Sequence, residues 1–142
     1  MRFRLILDTN ILIAAIIKDS MTRRLLLHED LVIFVIDYSL DEIKKYEDVI
    51  IEKSKKDKVT INSVLKTILS KAHLIDSNLI KPNFPIGKEL IGQTDEKDIP
   101  FVAAAVTLKT DGIWSEDPHF DIIKNRIKIW RTKDLAKQIF GE

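Results

Sequence analysis

Two apolar runs near the start of the chain, Phe3–Leu7 and Leu31–Ile36, have the length and near-continuity of strands buried on both faces, with Arg4 interrupting the first. Between them, Ile11–Glu29 reads as one or two helices with a break near Asp19-Ser20. Ser39 and Glu42 have the S-x-x-E spacing of a capping box, in which the two side chains satisfy free backbone N–H groups at a helix start. A helix is therefore expected from Ser39 to about Lys56, with Ile43, Tyr46 and Ile50 on one face and an interruption at Asp57–Thr60. The clearest helical period follows. Ile61, Val64, Leu65, Ile68, Leu69 and Ala72 recur at i, i+3, i+4, i+7, i+8 and i+11.

A short strand is expected at His73–Asp76. Lys81–Gln93 carries two prolines and two glycines and reads as a loop with about one turn of helix. Ile99–Leu108 is apolar on every side and rich in alanine, which suits a buried helix packed closely on a sheet. Gly112–Ser115 and Ile127–Trp130 are two further short strands, and Thr132–Phe140 is a terminal helix. Strands and helices thus alternate, which predicts a three-layer α/β fold: a five-stranded, mostly parallel sheet flanked by helices. The pattern does not determine the strand order.

Composition narrows the chemistry. The 142 residues fit one domain, 1–142, with no repeat or linker. Charged residues make up 32% and formal net charge is +1, so no global basic field coats the surface and any nucleic-acid contact must come from local patches. There is no cysteine, which removes disulfides, thiolate metal sites and cysteine nucleophiles. No apolar run approaches about 18 residues, so no membrane span is expected. The start "MRFRLILDTN" turns polar too early for a signal peptide, which predicts a cytoplasmic protein.

Four acids stand beside the apolar elements: Asp8 after the first strand, Glu42 after the second, Asp98 at the mouth of the alanine-rich helix and Asp117 after the fourth strand. In alternating α/β folds the carboxyl ends of the strands face one crevice. Carboxylates gathered there repel one another unless a divalent cation lies between them. Each acid also has a structural reading. Asp8 suits a helix cap or Asx turn, Glu42 its capping box, Asp98 the helix dipole and Asp117 an Asp-Pro turn. A phosphoacceptor role for Asp8 would call for a second aspartate two residues on, as in dehalogenase-like phosphatases, where Asn10 stands here; a receiver domain would call for acids in positions 1–7, which hold none. His119 reads as a hydrogen-bonding loop residue, because His28, His73 and His119 are spread too widely for a zinc-like cluster.

"ILDTN" at Ile6–Asn10, Glu42 on the helix after the second strand, "DIPFVAAA" at Asp98–Ala105 and "WSEDPHF" at Trp114–Phe120 together resemble the PIN-domain nuclease family. The resemblance spans nearly the whole chain and implies a five-stranded parallel sheet and metal-dependent cleavage of single-stranded RNA. Many small members are toxins of toxin–antitoxin pairs, and others process RNA. Carried over by position, Asp8, Glu42, Asp98 and Asp117 match the acidic quartet, and Asp95 an extra acid of some members. Ser115 takes the place of a serine or threonine that precedes the last acid. Two residues past Asp117, where many relatives have an aspartate, this chain has His119, a departure that favours one firmly held metal over two.

The resemblance implies Mg²⁺ or Mn²⁺ held by Asp8, Asp98, Asp117 and Glu42, with Asp95 a further ligand and Thr9, Asn10 and Ser115 orienting the carboxylates; oxygen-only ligands suit these hard ions. In-line hydrolysis would leave a 5′-phosphate and a 3′-hydroxyl. Arg23, Arg24, Lys44, Lys45, Lys53–Lys58, Lys124 and Arg126 offer positive charge for RNA, although most such charges are solvated surface. An antitoxin protein and a second copy are the implied partners, with the helical segment Lys56–Ala72 as the pairing face. Two other classes stay open: a non-catalytic module that binds RNA or protein, and a small-molecule phosphatase.

Overall fold

The computed structural model describes residues 2–92 and 95–141. Strand β1 (Phe3–Leu7) leads into helices α1 (Thr9–Ile17) and α2 (Met21–Leu26), and β2 (Leu31–Ile36) into α3 (Asp37–Lys45), α4 (Glu47–Ser54) and α5 (Lys58–Lys71). After β3 (His73–Ile75) come α6 (Ser77–Ile80), a 3-10 turn at Lys81–Asn83 and α7 (Phe84–Ile91). A second 3-10 turn at Glu96–Asp98 opens α8 (Ile99–Leu108); β4 (Ile113–Trp114), a 3-10 segment at Pro118–Ile123, β5 (Ile129–Trp130) and α9 (Thr132–Phe140) follow.

The five strands form one sheet in the order β3-β2-β1-β4-β5, and every pairing is parallel. The expected α/β layering therefore stands, and the antiparallel allowance in "mostly parallel" is not used. Alternate side chains leave opposite faces of a strand. Leu5, Leu7, Ile33, Val35 and Trp114 accordingly join one core with Leu12 and Ile16 of α1, Leu25 of α2, Ile61 of α5 and Leu135 of α9. Ile6, Phe34, Ile36 and Ile113 join the other with Ile80, Ile91, and Phe101 and Val102 of α8. The chain steps from β1 outward to β2 and β3, then returns to the other side of β1 for β4 and β5. The order reverses between β1 and β4, and a crevice opens beyond their carboxyl ends.

Several local expectations give way. The helix after β2 begins at Asp37, so Ser39 lies inside its first turn and is 1% exposed, and no capping box forms. The single helix expected to run to Lys56 is two, bent at Tyr46 and closed by Lys55 in the left-handed conformation. Asp57–Thr60 does not interrupt a helix but starts α5, with the Asp57 carboxylate accepting the Thr60 N–H at 2.8 Å. Phe84–Ile91 forms a helix of 8 residues where a loop with about one turn of helix was expected. Pro82 and Pro85 sit in first turns, where a missing N–H costs no bond. The expected loop also reached Gln93, which lies outside the described residues. The paired part of the last strand is only Ile129–Trp130. The apolar stripe of α5 is turned onto the core: Ile61 and Ile68 are buried, with Val64, Leu65, Leu69 and Ala72 packed beside them. No helix among the described residues is long and apolar enough to cross a membrane.

Candidate functional site

At the crevice between β1 and β4, Asp8, Glu42, Asp95, Asp98 and Asp117 line one cavity of about 220 Å³, together with Thr9, Asn10, Tyr46, Lys97 and Phe101. Among the described residues, five carboxylates thus face one lysine. The four acids expected from the sequence and the extra Asp95 are brought together by four separate parts of the chain.

Hydroxyl groups fix two of the acids. The Ser115 hydroxyl accepts the Asp117 N–H at 2.9 Å and donates to Asp8 Oδ2 at 2.6 Å, so one serine ties the end of β4 to the end of β1. Thr9 donates its hydroxyl to Glu42 Oε1 at 2.6 Å. Its single proton is then spent, so in the 2.7 Å contact between Thr9 and Ser39 the serine is the donor. This relay, rather than a capping box, is what Ser39 and Glu42 form. Asn10 lines the cavity and turns its backbone N–H toward Asp8. Thr9 and Ser115 therefore each hold a cavity carboxylate through a side-chain hydrogen bond.

Asp8 and Asp117 occupy the cap positions of α1 and of the 3-10 segment Pro118–Ile123. Asp117 uses its carboxylate in that role, accepting the His119 N–H at 2.9 Å, so its turn reading holds alongside its place in the cavity. Asp8 makes no such cap bond. It is 5% exposed, and burial, partly opposed by the Ser115 hydrogen bond, raises its pKa. Asp98 is 6% exposed. Burial first, then the charges of Asp95 and Asp117, push its pKa up to about 6. Its Oδ2 is buried and has no hydrogen-bond partner among the described residues. A buried, unpartnered carboxylate oxygen among four further acids is costly as it stands and is the position a cation would satisfy. The donor set fits a divalent ion.

Sequence reasoning missed several neighbours. His119 turns back over the acids, with Nδ1 3.4 Å from Asp98 Oδ2, 3.5 Å from Asp117 Oδ1 and 3.8 Å from Asp95 Oδ2. Lys97 enters the cavity from between Asp95 and Asp98. Tyr38, held neutral by burial and by Glu42 with a pKa pushed up to about 12, packs 6.2 Å from Phe101 between ring centres. Arg131 donates to the carbonyls of Ser115 (2.7 Å) and Asp117 (3.2 Å), bracing the loop that carries both. The Glu116-Asp117-Pro118 sequence gave a turn, but nothing in it indicated where that turn would deliver the histidine. Of the basic candidates, Arg23 is structural: its guanidinium donates to the last carbonyls of α1, Ala15 O at 2.8 Å and Ile16 O at 3.3 Å.

The PIN-domain family model matches residues 6–139. The chain belongs to the PIN-domain family. PIN domains are generally nucleases, and the acidic crevice is where this one carries its carboxylates. No curated protein matches the chain. Among solved structures, a chain in the crystal structure of VapBC2 from Rickettsia felis bound to a DNA fragment from their promoter superposes with a TM-score of 0.63. The two are 23% identical, and the match covers 90% of this PIN domain and 98% of that chain. At that identity the likeness establishes the fold.

The raised Asp98 pKa has a consequence for stability without metal. An acid whose pKa rises on folding, here from 3.8 to about 6, binds more protons in the native state than unfolded across that window. Stability is therefore fully present below 3.8 and is lost as pH rises through about 6. The lowered carboxyls of Asp37 and Asp57 act in the opposite sense, but below 3.8. In EDTA, stability at pH 7.5 is expected to be about 2 kcal/mol lower than at pH 4.5. Melting temperatures should differ by about 2–4 °C per kcal/mol. Burial raises the Asp8 pKa as well, so Asp8 acts in the same sense. Thermal scans of the parent and Asp98→Asn check this: the difference should shrink in the variant, with Asp8 supplying what remains, and an undiminished difference assigns it away from Asp98.

Proposed function

We propose that this PIN domain is a metal-dependent endoribonuclease that cleaves single-stranded RNA, as the toxin of a toxin–antitoxin pair or as an RNA-processing nuclease. The observation that carries the reading is the unpartnered, buried Oδ2 of Asp98 in a cavity lined by five carboxylates. Asp8, Asp98 and Asp117, with Glu42 and Asp95, are the residues that would hold Mg²⁺ or Mn²⁺. When bound, such an ion neutralises the cavity and supplies Lewis-acid polarisation of a phosphodiester and activation of water. The protein's own side chains do the rest. Ser115 and Thr9 keep Asp8 and Glu42 in place, and Lys97 offers positive charge to a phosphate at the cavity wall.

The next groove supports a single-stranded substrate. Asn10 and Tyr46 line the acidic cavity and also a second one of about 210 Å³ walled by Ile13, Ile17, Val49, Ile50 and Lys53. An exposed tyrosine ring beside apolar walls and a lysine suits a base that is free to leave its stack, which a duplex does not offer. The same reading gives one domain over 1–142, a cytoplasmic location, and an antitoxin protein and a second copy as partners. Sedimentation alone and with the adjacent gene's product tests those partners.

The direct test is cleavage of labelled single-stranded and duplex RNA with Mg²⁺, Mn²⁺ or EDTA. Expected is cutting of the single strand with either ion, 5′-phosphate products, and none in EDTA. Binding of RNA without cutting in any ion would favour the non-catalytic module, and turnover of a chromogenic phosphate ester alone would favour the phosphatase.

A further inference from the structure

We propose that His119 is a nitrogen ligand of the cation in the acidic cavity, making this a mixed nitrogen–oxygen centre that prefers Mn²⁺ to Mg²⁺. The inference rests on the proposed metal dependence and goes beyond the oxygen-only set that the sequence implied.

Three donor atoms, one each from Asp95, Asp98 and His119, lie within 4.8 Å of one another. Asp98 contributes the independent observation: its side chain is 9% exposed, and its Oδ2 is buried without a hydrogen-bond partner among the described residues and faces the imidazole. The distances discriminate between two roles for the ring. A charge-assisted hydrogen bond from an imidazolium would bring nitrogen and oxygen to about 2.7–2.9 Å. Here Nδ1 stands 3.4, 3.5 and 3.8 Å from Asp98, Asp117 and Asp95 oxygens. Two ligands that share one ion, with bonds of about 2.0–2.2 Å, are separated by about 2.8–3.1 Å at adjacent corners of an octahedron and about 3.3–3.6 Å at those of a tetrahedron. The spacings to Asp98 and Asp117 are too long for donor and acceptor and fall within the wider of these ranges, with Asp95 just outside it. The local fold holds the imidazole there: the Asp117 carboxylate accepts the His119 backbone N–H at 2.9 Å, and Phe120 next to it is 0% exposed, so the ring is anchored at its root.

The chemical consequence is selectivity. Mg²⁺ takes oxygen and water almost exclusively, whereas imidazole nitrogen raises affinity for the later divalent ions. One nitrogen in the set therefore shifts the balance toward Mn²⁺. An aspartate at 119 would shift it back.

The experiment uses the full chain stripped with EDTA and loaded with Mn²⁺ alone. Pulsed electron paramagnetic resonance should show coupling of the bound Mn²⁺ to one imidazole nitrogen, absent in His119→Gln. In titrations, His119→Gln should weaken Mn²⁺ binding tenfold or more, and His119→Asp should lower the ratio of Mn²⁺ to Mg²⁺ affinity by a similar factor. Saturable Mn²⁺ binding without nitrogen coupling in the parent protein overturns the ligand assignment and leaves the nuclease reading intact; this arm needs no variant. Coupling that survives in His119→Gln also overturns it, because another histidine is then the ligand. Absence of saturable Mn²⁺ binding overturns both readings.

Discussion

Asp8→Asn is expected to slow cleavage of single-stranded RNA by at least about 100-fold while the protein stays folded. Changing residues that only orient a metal ligand already costs about 10–100-fold, so removing a ligand's charge should cost no less. The fold should tolerate the change because an asparagine oxygen can still accept the Ser115 hydroxyl, now 2.6 Å from Asp8 Oδ2. Asp8 is buried with a raised pKa, so neutralising it removes a charge that the metal-free fold holds at a cost. The variant's melting temperature in EDTA at pH 7.5 should therefore equal or exceed the parent's, and added Mn²⁺ should stabilise it less. Cleavage at the parent rate by the folded variant would sink the carboxylate-centred mechanism. A loss of rate accompanied by a lower melting temperature in EDTA would make Asp8 a structural residue instead.

Gly112→Ala is expected to be the most damaging of the glycine-to-alanine changes. Gly112 has φ of 139°, a conformation that side chains rarely adopt, and a Cβ there would lie 2.3 Å from the Lys128 carbonyl oxygen and 2.9 Å from Trp130 Cδ1. That oxygen accepts the Ile113 N–H at 2.9 Å, so relieving the clash means prising β5 from β4. Backbone strain and the lost pairing together should cost at least about 3 kcal/mol. For a domain of this size the melting temperature then falls by about 6–12 °C. Gly141→Ala is the control: its φ is 75°, but among the described residues nothing lies within 4 Å of the added carbon, so it reports backbone strain alone. Equal losses in the two variants would refute the steric argument. Activity should fall with Gly112→Ala as well, because β4 leads directly into Ser115 and Asp117.

What could be read along the chain was whatever local chemistry decides. The runs Phe3–Leu7 and Leu31–Ile36 had to be buried strands, and the period from Ile61 to Ala72 had to be a helix with one face on the core. Both hold. Asp8, Asp98 and Asp117 were legible as candidates because each stands at the edge of an apolar element, and all three line the cavity. Errors came where two local rules competed. Ser39 and Glu42 match a capping box, but burial drew both toward Thr9. The prolines of Lys81–Gln93 signalled a loop, yet at the first turn of a helix proline costs little, and Phe84–Ile91 is helical.

The sequence by itself therefore determined the α/β alternation, the two-sided core and the acids that flank its apolar elements, because periodicity and burial act over a few residues. Only the tertiary structure decided the rest. It set the order β3-β2-β1-β4-β5, which reverses between β1 and β4 and so places Asp8 beside Ser115, 107 residues away in sequence. It left Asp98 Oδ2 buried without a partner and turned His119 toward it. Which side chains meet across a crevice depends on how parallel strands are laid side by side, and that arrangement is a property of the whole packed sheet rather than of any segment within it.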